Sequence, residues 1–384
     1  MKILLVNHLL DPITGGGTAE RTFQIVRFLA KDGIRCTVLT LDIGIAKERE
    51  AELGDVRIVA VSCANRRFYV PRLSSAEICA LVSDADVVHL SGHWTLLNAL
   101  VYRACRKLGR PYTFCPAGAL KPFGRSLWVK RLYDLLFGQQ IAQSAAVCIA
   151  ITDAERTDFT AYGVPDERIV VIPNGIDPDA YHLESFGEAV AALRQASGVG
   201  DARFILFLGR LNYIKGPDLL LDAFCGLQTA FPDVHLVIAG PDDGMLADLK
   251  QTAAAHDVAS RVHFTGFLGG VAKVAALHAS SLLVIPSRRE AMSIVVLEGG
   301  VCGCPVLFTD VCGIDDIARK KGAIMVPVSS AALSAGITRL LSSPDEARAM
   351  ASCLQHMVKA NYLWEVQAQR YGKLSEFVAT TVRP

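Results

Sequence analysis

Residues 281–300 read SLLVIPSRREAMSIVVLEGG, an apolar run followed by a polar loop and a second apolar stretch. The first run has the length and composition of a buried strand, and the second has a helical pattern. Ser293 is a favourable N-cap for a helix over 294–302, which Gly303 and Pro305 would end. A strand that leads through a loop into a helix is the repeating unit of α/β folds with parallel sheets.

The same alternation extends over the whole chain, and its apolar runs contain few polar residues. Such runs are typical of parallel strands that helices cover on both faces. Pro, Asn, Gly and Asp cluster at 172–182, which indicates a boundary. We predict two doubly wound, Rossmann-like α/β domains facing a cleft, 1–175 and 176–363, with a C-terminal helix over 364–384 that packs back on the first. The predicted strands are 2–7, 34–41, 56–62, 86–91, 111–116, 145–152, 168–173, 203–209, 235–240, 262–267, 281–286, 305–310 and 323–327.

The composition excludes several classes of protein. The chain has 384 residues, 51% of them hydrophobic, and a net charge of +1, so no global field favours nucleic acid. No run approaches the roughly 18 apolar residues of a membrane helix. Polar residues near the start interrupt any secretory signal. Eleven cysteines without a CxxC pair predict free thiols in a reducing cytoplasm.

The glycine-rich loop TGGGTAE (14–20) comes after the first predicted strand and before a helix predicted over 18–31. Gly16 and Gly17 would let the backbone approach a ligand closely, and the helix N-terminus suits a phosphate. The loop is not a dinucleotide fingerprint, because Glu20 stands where that pattern needs Gly or Ala. A flexible connection without a ligand is the alternative.

The stretch GRLNYIKG (209–216) leaves the predicted strand 203–209 at its carboxyl end. Ligands of doubly wound sheets bind at that end of the strands. Arg210 offers a planar fork and Lys215 a point charge, a combination that suits a diphosphate. Two solvated surface cations are the alternative interpretation.

Two carboxylates, Glu290 and Glu298, lie on either side of the turn in the opening stretch. The free N–H groups of Ile294 and Val295 at the helix start suit a phosphate. Glu290 could reach one end of an elongated ligand, while Glu298 accepts hydrogen bonds from hydroxyls at the other. Two glycines at 299–300 are unfavourable in a helix interior, by about 1 kcal/mol each, and predict a close approach. The alternative is two solvated glutamates at a chance spacing.

The segment from Glu290 to Glu298 resembles the Glu-x7-Glu motif of the retaining, nucleotide-sugar-dependent glycosyltransferases of family 4, which have the GT-B fold. Nearly the whole chain shares this resemblance. The other similar stretches are TGGGTAERTFQIVRFLAKDGIRCTVLT (14–40), VVIPNGID (170–177), GRLNYIKGPDLLLDAF (209–224), VHFTGF (262–267) and CGCPVLFTD (302–310).

The resemblance implies roles for the second domain, which would bind the nucleotide-sugar donor. Arg210 and Lys215 would hold the donor diphosphate, and Glu298 would bind the ribose hydroxyls. Glu290 would contact the transferred sugar. The N–H groups near Ile294, together with Ser293 and Val295, would contact phosphate and sugar.

The resemblance implies that the first domain binds the acceptor, and that Gly16 and Gly17 contact the donor diphosphate. Its loop HLSGHW (89–94) is similar to a family loop that often reads His-x-His-Gly-x-Trp. Ser91 replaces the second His, and an additional one stands at 93. We expect His89, His93 and Trp94 on the acceptor side, with His93 catalytic. A hydrogen-bonded strand histidine is the alternative for His89.

Residues 291–293 also depart from the family, since they read Ala-Met-Ser where Gly-Phe-Gly is common. The resemblance implies transfer with retention at the anomeric carbon and no metal or other cofactor. The sequence agrees, because it has no DxD pattern at a strand end.

The acceptor is predicted from the segment RSLWVKRLYDLLFG (125–138), which combines cations with apolar and aromatic residues. A basic amphipathic helix can lie on an anionic membrane. We therefore expect a glycan or lipid-linked glycan acceptor, peripheral contact with the inner membrane face through 121–138, and a role in making cell-surface polysaccharides or glycoconjugates. The alternatives are a helix packed on the first domain, a small soluble acceptor, and a sugar-nucleotide-binding protein without catalysis.

Overall fold

The computed structural model describes residues 1–45, 47–122 and 126–381. The chain divides into two compact units. Unit 1 contains Met1–Gly175 and the chain from Trp364 onward, and unit 2 contains Ile176–Leu363. Neither unit contains, in its described residues, a helix that is both long and apolar enough to cross a bilayer.

Unit 1 is built on a parallel sheet of seven strands in the order β3-β2-β1-β6-β7-β8-β9. A short antiparallel pair, β4 with β5, lies outside this sheet and was not predicted. The strands are β1 (Lys2–Val6), β2 (Arg35–Leu41), β3 (Arg57–Val61), β4 (Cys63–Asn65), β5 (Val70–Pro71), β6 (Val87–Ser91), β7 (Tyr112–Cys115), β8 (Val147–Ala150) and β9 (Ile169–Val171).

The crossover connections of unit 1 are mostly helical, as parallel neighbours require. A π-helical segment, Asp134–Gly138, joins two of the helices without a break. The helices are α1 (Pro12–Lys31), α2 (Lys47–Glu52), α3 (Ser75–Asp84), α4 (Leu96–Leu108), α5 (Leu127–Tyr133), α6 (Gln139–Ser144) and α7 (Glu155–Ala161).

Unit 2 has a parallel sheet of six strands in the order β12-β11-β10-β13-β14-β15. Its strands are β10 (Arg203–Leu208), β11 (Val234–Ala239), β12 (Val262–Gly266), β13 (Leu282–Ile285), β14 (Val306–Thr309) and β15 (Ile324–Val326). Its helices are α8 (Phe186–Ser197), α9 (Pro217–Cys225), α10 (Leu246–Ala255), α11 (Gly270–Ala279), α12 (Ile294–Val301), α13 (Asp315–Arg319), α14 (Ser330–Ser342) and α15 (Pro344–Asn361).

The fold class is confirmed, because every predicted strand is present in one of two parallel, Rossmann-like sheets. Each sheet reverses its winding direction once. The reversal falls between β1 and β6 in unit 1 and between β10 and β13 in unit 2. The carboxyl ends of strands at such a switch point are where ligands bind in this architecture. The predicted site loops follow these four strands.

Helix α1 begins earlier than the sequence predicted. The helical residues start at Pro12 instead of 18, and they are interrupted at Gly16, whose φ of 59° and ψ of −147° are not helical. The Asp11 carboxylate accepts a hydrogen bond from the Thr14 backbone N–H at 2.9 Å, and the Asp11 carbonyl accepts one from Gly15 at 2.8 Å. Asp11 thus stabilises a helical turn before the glycine, where a loop was expected.

The last helix, α16 (Trp364–Thr381), packs on α1 within unit 1. Its Tyr371 hydroxyl accepts a hydrogen bond from the buried Arg21 at 3.0 Å. Arg21 also donates to the Asn174 side chain at 2.8 Å and to the Ile172 carbonyl at 2.6 Å. One buried guanidinium therefore connects α16, α1 and the segment after β9. Residues 382–384 of the predicted helix lie outside the described residues.

Candidate functional site

The loops after β10 and β13 bring two predicted site residues of unit 2 together. The Lys215 ammonium donates a hydrogen bond to Glu290 Oε1 at 2.6 Å. The Ser287 hydroxyl donates to the same oxygen at 2.9 Å, and the Glu290 backbone N–H is bonded to the Val311 carbonyl at 3.1 Å. Only 11% of the Glu290 side chain and 25% of the Lys215 side chain are exposed. The carboxylate is therefore held in place with a cation beside it.

Backbone contacts explain why these two loops lie so close. Gly216 has a φ of 68°, and a Cβ at this position would collide with the Pro286 carbonyl oxygen. The Arg288 N–H donates to the Ile214 carbonyl at 2.7 Å. The Arg288 guanidinium also forms two hydrogen bonds with the Asp218 carboxylate, at 2.8 and 2.5 Å. Sequence reasoning missed this ion pair, which fastens the β13 loop to α9.

Arg210, the other predicted diphosphate ligand, lies at the carboxyl end of β10 with 63% of its side chain exposed. Its nearest charged partner is Asp243, at 3.5 Å. Within the described chain Arg210 forms no hydrogen bond or ion pair with Lys215 or Glu290. The structure therefore places Arg210 at the predicted end of the strand, open to solvent.

Helix α12 begins at Ile294, as predicted, and ends just before Gly303, whose φ is 69°. Ser293 occupies the N-cap position, but its side chain makes no capping bond. Its hydroxyl is buried, and no hydrogen-bond partner for it is found in the described residues. Ser293 is thus the N-cap residue, as predicted, but without the side-chain hydrogen bond that usually accompanies this position. The first N–H groups of α12, at Ile294 and Val295, have no acceptor within the helix.

The glycines at 299–300 serve packing inside the unit. A Cβ at Gly299 would lie 2.7 Å from a Leu283 side-chain carbon of β13. A Cβ at Gly300 would lie 2.7 Å from Val358 on α15. The close approach that the sequence predicted here is made by the neighbouring strand and helix of the core.

Glu298 is buried at the middle of α12, and two residues that the sequence did not indicate bind it. Its Oε1 accepts a hydrogen bond from the Tyr181 hydroxyl at 2.7 Å and one from the Lys273 ammonium at 2.9 Å. Tyr181 ends a 3₁₀ segment, Pro178–Tyr181, and Lys273 lies on α11. Both are distant in sequence from Glu298, so no local pattern links them to it.

In unit 1 the glycine-rich loop follows β1 at its switch point. Gly16 has a left-handed φ, and no atom lies within 4 Å of where its Cβ would be. The Asn7 side chain at the end of β1 donates to the Thr18 carbonyl at 3.1 Å and to the Thr22 hydroxyl at 2.9 Å. These bonds hold α1 against β1 just beyond Gly16 and Gly17, whose contact with a diphosphate stays a prediction.

The contacts of His89 favour the alternative interpretation over a place on the acceptor side. The residue is 3% exposed. Its Nδ1 is hydrogen-bonded to the Thr113 hydroxyl, and its Nε2 is 2.8 Å from the Ser375 hydroxyl on α16. Burial lowers the pKa of His89 to about 4. Both ring nitrogens are used inside unit 1, so His89 is the hydrogen-bonded strand histidine of the alternative interpretation.

His93 is also buried, and its catalytic contact stays a prediction. Its Nε2 is 2.7 Å from the Asp134 carboxylate, and its side chain has no exposed surface. The same carboxylate accepts hydrogen bonds from the Trp94 ring at 3.1 Å and from the Tyr162 hydroxyl at 2.9 Å. Asp134 therefore holds the loop after β6, in which Trp94 has a strained φ of 53°. Trp94 itself remains partly exposed.

Two family models match the chain, one in each unit. Residues 16–175 match the model described as glycosyl transferase 4-like domain, and residues 190–353 match glycosyl transferases group 1. The crystal structure of HepE from Anabaena in complex with UDP and glucose has a similar fold, with a TM-score of 0.81 and 21% identity. The superposition covers 98% of this chain and 99% of that one. The chain belongs to family 4 of the glycosyltransferases and has the GT-B fold.

Two curated relatives show the range of this family. The D-inositol 3-phosphate glycosyltransferase of Corynebacterium urealyticum is 30% identical over 63% of this chain and 59% of its own length. The GDP-mannose-dependent alpha-(1-6)-phosphatidylinositol monomannoside mannosyltransferase of Mycolicibacterium smegmatis is 27% identical over 62% of this chain and 63% of its own. The chain spans about half the length of the first curated relatives it matches.

Proposed function

We propose that the protein is a retaining glycosyltransferase that moves a sugar from a nucleoside-diphosphate sugar to a glycan or lipid-linked glycan. The single observation that carries the proposal is the Lys215–Glu290 pair at the switch point of unit 2. A hydrolase with two carboxylates would not need a neighbouring cation. A donor whose leaving group is a diphosphate does need one.

The proposed reaction breaks the bond between the anomeric carbon and the diphosphate, and the electron pair goes to the diphosphate oxygen. Lys215, Arg210 and the N–H groups at the start of α12 stabilise this growing negative charge. Glu290 lies beside Lys215, where its charge stabilises the positive charge that develops on the sugar ring. The acceptor hydroxyl forms the new bond on the same face, and its proton passes to the leaving phosphate oxygen.

The proposal includes a reaction without a metal, since the two cations and the helix terminus supply the positive charge. The nucleotide and sugar have to be found by screening. HepE binds UDP and glucose in its crystal structure, and the mycobacterial relative uses GDP-mannose. Both UDP- and GDP-sugars are therefore the first candidates, and a thermal-shift screen identifies the one that stabilises this protein.

The donor identified in this way, with a radiolabelled sugar, is expected to be consumed when membrane lipid extract is present. The label should move to a lipid or glycan product in equal amount to the nucleoside diphosphate released, and the rate should be unchanged in EDTA. Product anomers identified by NMR should match the configuration of the donor.

The control for this experiment is the Lys215→Ala variant, which should remain folded and release far less nucleotide. Binding of the donor without turnover would favour a non-catalytic sugar-nucleotide-binding protein. Loss of activity in EDTA that Mg²⁺ or Mn²⁺ restores would contradict the metal-independent mechanism.

A small soluble acceptor is the second candidate function. Its support is the likeness to relatives named D-inositol 3-phosphate glycosyltransferase. The same assay with inositol phosphate in place of the lipid extract distinguishes the two acceptors. Transfer of label to inositol phosphate would favour the small soluble acceptor.

An exposed apolar face on α5 and the π-helical segment supports the lipid-linked acceptor. Five large apolar side chains on this face are exposed, with Trp128 at 72% and Leu135 at 70%. Arg131 is exposed on the same face. We propose that this face, which consists of Leu127, Trp128, Arg131, Leu132, Leu135 and Leu136, lies on the anionic surface of the inner membrane, with the rest of the protein in the cytoplasm. Arg125 and the other residues at 123–125 of the predicted contact 121–138 lie outside the described residues.

We expect the protein to bind vesicles that contain phosphatidylglycerol and to bind phosphatidylcholine vesicles more weakly. Replacing Trp128 and Leu135 by Ser should reduce binding at least about tenfold, because burying each side chain in lipid contributes about 1.5–3 kcal/mol. Sedimentation with vesicles at increasing salt measures both the apolar and the charge contribution.

The matched control for the vesicle experiment is Phe377→Ser. Phe377 is 53% exposed and lies on α16, which is not part of the proposed membrane face. Equal binding of the double variant and the wild type would contradict the proposed contact, as would the absence of any binding by the wild type.

A further inference from the structure

The Glu298 carboxylate is held asymmetrically by its neighbours. Both of its hydrogen bonds, from Tyr181 and Lys273, go to Oε1. The other oxygen, Oε2, accepts no hydrogen bond from any residue in the described part of the chain. The side chain is 11% exposed, and Oε2 is the oxygen with hydrogen-bonding capacity left for a ligand.

Tyr181 and Lys273 form one arrangement around this carboxylate. The Lys273 ammonium is 3.3 Å from the Tyr181 hydroxyl and 5.1 Å from the centre of its ring. The Lys273 side chain is 28% exposed. A cation over the face of an aromatic ring is attracted to it, so the ring restrains the ammonium beside Glu298. The carboxylate therefore has a fixed rotamer and a compensating charge.

Each of these residues is independently fixed by its own element. The 3₁₀ segment of Tyr181 is capped by Asp177, whose side chain accepts a hydrogen bond from the Asp179 N–H at 3.2 Å. Lys273 lies in the first turn of α11, which begins at Gly270. Glu298 comes from α12, so two other elements supply the partners of one carboxylate. A carboxylate that is already held by two partners loses less freedom when it binds a ligand.

We propose that Lys273 and Tyr181 are positioning residues that aim the free oxygen of Glu298 at the ribose diol of the donor and thereby select a ribonucleotide. This inference rests on the proposed function, in which Glu298 binds the ribose hydroxyls. The Lys273 ammonium attracts Oε1 by its charge, and the Tyr181 hydroxyl donates a directional hydrogen bond to the same oxygen. Both residues act through Glu298, which would bind the ribose, so we expect their effect on donor binding and not on the chemical step.

The test measures binding of UDP and GDP, and then compares the tighter of the two with its 2′,3′-dideoxy form, which lacks both ribose hydroxyls. The wild type should bind the ribonucleotide at least about tenfold more tightly than the dideoxynucleotide. Lys273→Met and Tyr181→Phe should each reduce this ratio to about threefold or less. Lys273→Arg keeps the cation, so its affinity ratio should be close to that of the wild type. Donor KM should rise in the variants while kcat changes by less than about twofold.

The outcomes separate this inference from the function on which it rests. If Lys273→Met weakens both nucleotides equally, or leaves the ratio at its wild-type value, Lys273 only joins α11 to α12 and the inference is overturned. Adding Lys273→Met to Glu298→Gln should change the ratio no further, and a further change would overturn the inference too. If the wild type binds neither UDP nor GDP, the proposed donor site itself fails. Lys250→Met, at an exposed lysine elsewhere in unit 2, is the control for lost charge.

Discussion

Lys215→Ala and Arg210→Ala are each expected to lower turnover of the nucleotide-sugar donor at least about a hundredfold, with the fold intact. Each cation would stabilise the charge that grows on the leaving diphosphate. Removal of one such preorganised group costs about 2.7–4 kcal/mol, by comparison with a single oxyanion-hole donor. Steady-state kinetics with a saturating donor, together with the thermal unfolding of each variant, measure the loss.

The structure adds a distinction between the two variants. Lys215 is 25% exposed and bonded to Glu290, whereas Arg210 is 63% exposed and 3.5 Å from Asp243. Substitutions in direct contact are not additive. The loss of transition-state free energy in the Lys215→Ala, Glu290→Gln double variant should therefore be smaller than the sum of the two single losses. For Arg210→Ala combined with Glu290→Gln, the loss should be nearly equal to that sum.

The control is Lys250→Ala, which removes an exposed charge from α10 in the same unit. Its rate should match the wild type. Near-normal turnover in a correctly folded Arg210→Ala, Lys215→Ala double variant would end the assignment of both residues to the diphosphate.

Glu290→Gln and Glu298→Ala are expected to act on different kinetic constants. Glu290 lies beside Lys215, where positive charge on the sugar develops only during bond cleavage, so its loss should lower kcat. We expect a decrease of more than about tenfold, equal to about 1.4 kcal/mol. Glu298 would bind the ribose equally in the ground and transition states, so its loss should mainly raise the donor KM. Both constants are measured with a saturating acceptor.

The Glu290→Gln substitution keeps the size and shape of the side chain and removes only the charge that Lys215 faces. If Glu290→Gln changes only KM while Glu298→Ala collapses kcat, the placement of the two residues along the donor is reversed. If neither constant changes by more than about threefold, roughly 0.65 kcal/mol, the spacing of the two carboxylates was a coincidence.

The fold class was predictable because its signal is local and repeated. Each apolar run of a parallel strand is buried on both faces, and this burial removes the polar alternation within the run itself. The start of α12 was predictable for the same reason, since a cap and a helix are read from neighbouring residues. The start of α1 was not predictable, because the glycine-rich sequence indicated a loop where Asp11 stabilises a helical turn.

The two histidines show what a local pattern does not contain. Both were read from their position at a strand end, which is the correct place for a ligand contact. Whether a side chain there faces a ligand depends on what packs around it. Asp134, 41 residues along the chain, binds His93, and Ser375, 286 residues away, binds His89. No spacing within HLSGHW contains that information.

The sequence by itself determined the strands, the switch-point loops and the family. It also predicted Lys215, Glu290 and Glu298 as site residues, because each stands in a loop or helix turn whose type a few neighbouring residues define. The tertiary structure alone decided which side chains meet: Lys215 with Glu290, and Tyr181 and Lys273 with Glu298. The physical reason is that sheet order brings together segments far apart in the chain, and a contact between them leaves no periodic trace in either segment.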